Sequence, residues 1–418
     1  MYSLLLSLIY LSFVSLGLPD SLLGAGWPIM HSEFGVPISY MGMVTMIISG
    51  STIVSSLFSH KVIRKFGTPV VTTVSVFLTA VALLGFSLSS AYWMLLIFAI
   101  PYGLGAGAID AALNNYVALH YSSKHMSWLH CFWGVGTIIS PFIMSNALST
   151  STWNSGYRTV MYVQLIIGLI LLITIPVWKI NQGKEQTEIS EKKIGLLDVF
   201  KIKGVPFILL GFFAYCAAES TAMGWASTYF TQVKGIDGET AAAYASLVFI
   251  GLTAGRFFAG FLMDKIGDRK MILLGTAITV IGIALLLLPI KNNVFSISGF
   301  VIIGLGYAPI YPCIIHSTPI NFGAENSGAI IGIQMAGAYL GSTFMPPLYG
   351  VLGKWIGYEM MPVYLLIFVI FMVIMTERTF KVAAKTMSEA FFIIFSRRFA
   401  DSASSQTHFN ASDSVRTP

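Results

Sequence analysis

Charge is what this sequence has least of. Of 418 residues, 10% are Asp, Glu, Lys or Arg, against roughly 25% in an average soluble domain, which argues against water as the main solvent. Cysteine is almost missing: Cys131, Cys216 and Cys313 fall inside apolar stretches at no metal-ligand spacing, so neither a disulfide framework nor a metal site is expected. There is no G-x-x-x-x-G-K-S/T run to cradle a nucleotide phosphate, no HExxH and no Ser, His and acid constellation. No enzymatic activity and no cofactor are therefore expected. The net charge of +6 comes without an aromatic-interleaved basic patch, which removes nucleic acid from the expected partners.

What is present is hydrocarbon. Apolar residues make up 56% of the chain, gathered into stretches of about 20 or more, the length that crosses a bilayer core as a helix. Twelve such spans can be drawn, at 3–30, 38–59, 69–89, 91–119, 127–149, 157–178, 204–232, 239–262, 270–290, 294–318, 325–351 and 355–376. The expected fold class is thus an all-α, multi-pass membrane protein. The first span has no Lys or Arg ahead of it and runs on to Trp27 and Pro28, so it reads as a retained helix and not a cleaved leader. With both termini on the cytoplasmic side, the outer loops hold only Arg158, Lys234, Lys291 and Lys354, and the other 20 of the 24 Lys and Arg face inward. That is the bias expected of an inner cell membrane protein.

The polar segment "KINQGKEQTEISEKKIG" from Lys179 to Gly195 separates six spans from six. The expected organisation is an N-terminal half at 1–178, a cytoplasmic linker at 179–203, a C-terminal half at 204–376 and a cytoplasmic tail at 377–418. Within the tail, "EAFFIIFSRRF" from Glu389 reads as an interfacial segment, and the Ser-rich end beyond Asp401 as disordered. The halves repeat one another. "RKFG" ending at Gly67 matches "DKIG" ending at Gly267; "GLG" at Gly103 matches "GLG" at Gly304; and "DSLLGAGW" from Asp20 resembles "ESTAMGW" from Glu219. Paired halves of this kind place a binding site between them, near the midplane.

Three acids lie deep in the spans: Asp20, Asp110 and Glu219. A carboxylate at the bilayer centre costs about 2.5 to 3.5 kcal/mol even on insertion scales, so such groups face cavities and mark ion or substrate pathways. No Lys or Arg is read beside them, which makes each a candidate to carry a proton. Asp110 and Asn114 are one helical turn apart and share a face, with Gly103, Gly105 and Gly107 expected to leave room beside it. A carboxylate and an amide in one cavity supply the acceptors and donors that hydroxyl groups need. Interhelical bonding by Asn114 and capping of a Pro19 kink by Asp20 are the structural alternatives. Further candidates for substrate contact are His130 and Trp133 in the fifth span, Tyr307 and Tyr311 in the tenth, and Gln334 in the eleventh. By the repeat offset, Tyr311 is the counterpart of Asp110.

Two resemblances attach to these residues. "GFLMDKIGDRK", Gly260 to Lys270, is similar to the loop motif of the major facilitator superfamily, with Gly260, Asp264, Lys265, Gly267, Arg269 and Lys270 at its characteristic positions. It implies two six-helix halves, and an Asp264 that can pair with a neighbouring helix end and hold one conformation closed. The N-terminal copy is degenerate, with His60 and Arg64 in place of the motif's glycine and aspartate. "DAALNNYV" from Asp110 and "HCFWGVGTII" from His130 resemble the fourth- and fifth-helix patterns of the fucose permease group, the fucose, galactose and hexose proton symporters. That likeness implies a sugar and proton role for Asp110 and Asn114, extends a proton role to Asp20, and sets Trp133 where the group has a smaller polar residue. Glu219 rests on its position alone.

The function expected from these residues is secondary active transport, a proton-coupled symport of a monosaccharide or similar polyhydroxylated solute by a monomer in the lipid bilayer. The alternatives are a proton-coupled drug or metabolite exporter of the same fold and, in another class, a membrane sensor or scaffold that transports nothing.

Overall fold

Hydrocarbon offers a backbone no hydrogen-bond partners, so an apolar run of this length closes its own bonds as a helix. The computed structural model describes residues 2–185, 194–290 and 292–412, and among them there is no strand. Twelve rods result. The first is broken into α1 (Tyr2–Gly17) and α2 (Leu22–Glu33). There follow α3 (Met41–Phe66), α4 (Thr68–Leu88), α5 (Tyr92–His120), α6 (Ser123–Thr150) and α7 (Trp153–Glu185). The second half comprises α8 (Val205–Gln232), α9 (Gly238–Ile266), α10 (Asp268–Leu287), a tenth rod broken into α11 (Asn293–Tyr307) and α12 (Ile310–Phe322), α13 (Ala324–Ile356) and α14 (Met361–Ser412). Eleven rods are long and apolar enough to cross a membrane. The remaining one, α13, is as long but diluted by glycine, polar residues and the pair Pro346–Pro347.

Most rods overrun the spans drawn from hydropathy, because their polar first and last turns are helical too. The largest difference is at the C-terminus. Backbone helix continues from Met361 without interruption to Ser412, where a separate interfacial segment and a loose Ser-rich end were expected. Residues 186–193 of the linker and 413–418 of the tail lie outside the described residues.

The internal repeat is visible as geometry. Gly67 and Gly267 both adopt a positive φ, 82° and 81°, and each makes the one-residue turn from one rod to the next, α3 to α4 and α9 to α10. A side chain is strained there, which is why both copies of the motif end in glycine. The two "GLG" runs also do the same work. Gly103 lies on the Ile48 carbonyl of α3 and Gly304 on the Val248 carbonyl of α9. A Cβ on Gly105 would sit 2.8 Å from the Ser75 carbonyl of α4, and one on Gly306 would collide with Thr279 of α10. These glycines seat α5 and α11 against their neighbours; they do not open space beside Asp110.

The halves meet chiefly at the end that carries the linker, called here the linker face. There Ser127 donates to the Arg256 carbonyl at 2.6 Å and the Trp128 indole to the Phe257 carbonyl at 3.2 Å, joining α6 to α9. Gly332 of α13 lies against Ser56 and Ser59 of α3. Towards the opposite face the halves part, and Asp20, midway along the first rod, is exposed.

Candidate functional site

A cavity of about 320 Å³ lies between the halves at the level of both rod breaks. α1 and the break after it, α3, α5 and α6 line it from one half, and α8, α9, α12 and α13 from the other. Each intramembrane acid opens onto it, and each is held differently.

Asp20 stands in the break of the first rod. Pro19 lacks the N–H that would continue the helical ladder, and Gly17 lets α1 press directly on the backbone of α6 at Trp133. The result is a carboxylate that accepts from the Tyr102 hydroxyl on Oδ1 and from the Trp133 indole on Oδ2, both at 2.8 Å. It does not cap the break; the cap position of α2, Ser21, makes no side-chain bond either.

Asp110 sits on unbroken α5. Its Oδ1 accepts from Asn114 Nδ2 at 2.8 Å and its Oδ2 from the Tyr339 hydroxyl, also at 2.8 Å, across the interface between halves. Asn114 Nδ2 donates to the Asp110 carbonyl as well, so its Oδ1 faces away and meets His130 Nε2 at 3.1 Å. The Asn114 oxygen can only accept, so the proton of His130 is on Nε2. Asn114 is fully buried and does not line the cavity itself; it reaches the cavity through Asp110 and His130, which do.

Glu219 is the counterpart of Asp20 by repeat, but α8 is continuous there. Its Oε1 accepts from Tyr215 at 2.7 Å and from Arg256 Nη2 at 3.2 Å. Arg256, on α9, is buried, with its guanidinium over the Trp133 ring at 5.6 Å and its Nε without a partner among the described residues. This overturns the expectation that the acids have no basic companion, and it removes Arg256 from the residues assigned to the cytoplasmic surface. The signal was in the sequence: "GLTAGRFFAG", Gly251 to Gly260, sets an arginine in the middle of a span, as much an intramembrane charge as any of the acids.

The aromatic candidates divide. Tyr311 lines the cavity, edge-on to His130 at 4.4 Å between ring centres. Tyr307 does not. It is buried where Pro309 ends α11, with its carbonyl 3.0 Å from the Tyr215 hydroxyl, whose one proton it shares with Glu219. Gln334 is also outside the cavity, fully buried with Oε1 accepting from Thr318 at 2.9 Å. The polar residues of α13 that do reach the site are Tyr339 and Ser342, which composition alone did not distinguish from core.

The loop motif is at the linker face. Asp264 accepts from the Ser122 and Ser123 hydroxyls and the Lys124 amide at 3.0, 3.3 and 3.2 Å, across the N-terminus of α6, with Lys124 Nζ at 3.4 Å. Negative charge at that end of a helix complements its dipole. Arg269 forms two parallel bonds to Glu377 of α14 at 2.9 and 2.5 Å. Gly260 lies against the Trp128 ring and Gly267 makes the turn, while Lys265 and Lys270 are exposed. Beside them His316 bonds Asp268 at 2.7 Å and the Tyr121 carbonyl of the other half at 3.2 Å.

Comparison with known proteins agrees with this architecture. A family model described as Major Facilitator Superfamily matches residues 9–315 and again 208–400. The glucose/mannose transporter GlcP of Bacillus subtilis is 20% identical over 310 residues, 72% of this chain and 77% of that protein. Among solved structures, the proton:xylose symporter XylE superposes with a TM-score of 0.75 at 14% identity, covering 90% of this chain and 95% of that one. FucP in its outward conformation gives 0.71 at 14% identity, with 88% and 98% covered.

Proposed function

Because the chain belongs to the Major Facilitator Superfamily, a group of multi-pass membrane transporters, we propose that it moves a small polyhydroxylated solute of monosaccharide size together with protons, by alternating exposure of the cavity between its halves. The observation that carries this reading is the wall of the cavity. Asp20 and Asp110 each hold two donors, Tyr102 and Trp133 on one and Asn114 and Tyr339 on the other. A solute rich in hydroxyls can exchange with such bonds one for one, as donor and acceptor. Tyr311 and Trp133 offer flat apolar surface for the C–H face of a ring, and about 320 Å³ suits a solute of that size. A glucose/mannose transporter similar in sequence and a proton:xylose symporter similar in fold point the same way. The linker face, rich in Lys and Arg, is read as cytoplasmic, so that the described state has its cavity toward the outside. An exporter of cationic drugs is less well supported, since Arg256 already occupies the Glu219 carboxylate that a cation would use.

The test is internal pH in proteoliposomes on addition of hexoses, pentoses and deoxyhexoses, with Asp110→Asn in parallel. Sugar-dependent acidification that disappears in Asp110→Asn is the expected result. Silence to every sugar, with a response to lipophilic cations, would move the protein to the exporters.

A further inference from the structure

The buried base in the cavity is not needed for a neutral sugar. Arg256 has five N–H donors, yet its bond to Glu219 runs from Nη2 to a single oxygen, Oε1, which Tyr215 also uses. Its Nε is buried and unpartnered, and Oε2 of Glu219 has no hydrogen-bond partner among the described residues. An arginine and a carboxylate that suit one another form two parallel bonds, as Arg269 and Glu377 do at the linker face. The Arg256–Glu219 pair is therefore a loose one, held at the cavity wall under the Trp133 ring.

We propose that Arg256 is a carboxylate site, and that the solute carried is a hydroxylated monoanion, a sugar acid, whose carboxylate takes Arg256 from Glu219 as Glu219 takes up a proton. The proposal rests on the polyhydroxylated-solute reading and narrows it. Charge balances at each stage. Before binding, Glu219 carboxylate and Arg256 guanidinium cancel; afterwards Glu219 is a neutral acid, its new O–H able to donate, and the solute's carboxylate cancels Arg256. One proton and one anion enter together, and no unpaired charge is buried, which is the costly alternative. The remaining groups near the pair fit this exchange. From α8 come Tyr215, bonded to Glu219, and Cys216, from α12 Tyr311, and from α6 His130, while the Tyr307 hydroxyl of α11 is buried. Asp20, Asp110 and Tyr339 face the same space from the other wall. The two aspartates repel an anion, so its binding depends on Arg256.

The experiment is calorimetric titration of the purified full-length protein with galacturonate and glucuronate, and with the neutral sugars galactose and glucose, between about pH 5 and 8. The expected result is a uronate bound about tenfold or more tighter than its neutral counterpart in acid, weakening by up to about tenfold per pH unit as the pH rises, the slope of one proton taken up. Arg256→Lys, which keeps the charge and loses the fork, is expected to cost the uronate about tenfold and leave the hexose within about twofold. Glu219→Gln, a permanently neutral stand-in, should bind uronate with no pH slope. Uronate binding no tighter than hexose, or Arg256→Lys weakening both alike, overturns the proposal and leaves the sugar reading standing. Failure of all four sugars with Arg256-dependent binding of benzoate would overturn the polyhydroxylated reading and keep Arg256 as the anion site. Failure of every carboxylate overturns the anion site.

Discussion

Two tyrosines of the C-terminal half differ by a single hydrogen bond, and the difference predicts opposite mutants. The Tyr339 hydroxyl donates to Asp110 Oδ2, whereas the Tyr307 hydroxyl is buried with no partner among the described residues. Removing a donor from a carboxylate costs about 1.5 to 3 kcal/mol, while removing an unpaired buried hydroxyl costs little or stabilises. Tyr339→Phe should accordingly lower stability in detergent by that amount and depress solute-driven proton uptake; Tyr307→Phe should leave uptake intact and its melting point unchanged or raised. Uptake lost in Tyr307→Phe but not in Tyr339→Phe would reverse the assignment. The sequence made some of this plain. Asp110 and Asn114 are four residues apart, and helical geometry alone joins them. Tyr339 is 229 residues from Asp110, and no local pattern links them, so the partner of the best-placed acid stayed hidden. Arg256 was hidden for a different reason: its neighbours are so apolar that the span absorbed it.

At the level of elements, the site is built by breaking two rods and pressing others together. Pro19 and Pro309 announce their breaks in the sequence, because proline cannot donate to the ladder. What the sequence does not announce is which glycine is a contact. Gly24 and Gly136 look alike as letters. A Cβ at Gly24 of α2 would meet nothing within 4 Å, whereas one at Gly136 of α6 would lie 2.5 Å from the Val14 carbonyl and 2.9 Å from the Leu18 amide, where α1 crosses. Gly136→Val should force α1 away from α6 and draw Asp20 off Trp133, at a cost of about 1 to 3 kcal/mol or more. Gly24→Ala should be neutral, or better by up to about 1 kcal/mol from helix propensity. Thermal unfolding of the two variants in one detergent compares them directly, and equal melting points would show that the crossing of α1 and α6 does not hold Asp20 in place.

For the whole molecule, sequence conveys the helical rods in two halves and their repeat, since hydropathy and the paired motifs leave a trace of each. It does not convey which face is shut, because the contacts that shut it join residues more than a hundred positions apart in the chain. The described state is shut at the linker face by Asp264 across the start of α6, by His316 on the Tyr121 carbonyl and by Gly332 packed on α3. Of these the glycine is the most direct lever, since a Cβ there would stand 2.8 Å from the Ser56 carbonyl and 2.9 Å from Ser59 Oγ. Gly332→Leu should wedge α13 from α3 and shift the population toward an open linker face, without touching any cavity residue. With the three native cysteines replaced, a cysteine at the buried Ser59 reports the change through its reaction with a water-soluble thiol reagent. A shift of about 1.4 kcal/mol in the equilibrium raises the labelling rate about tenfold. Asp264→Asn, which weakens the hold on α6, should add to that rise. Labelling that is already fast before the wedge is introduced, or unmoved after it, would mean that the linker face is not the closed gate.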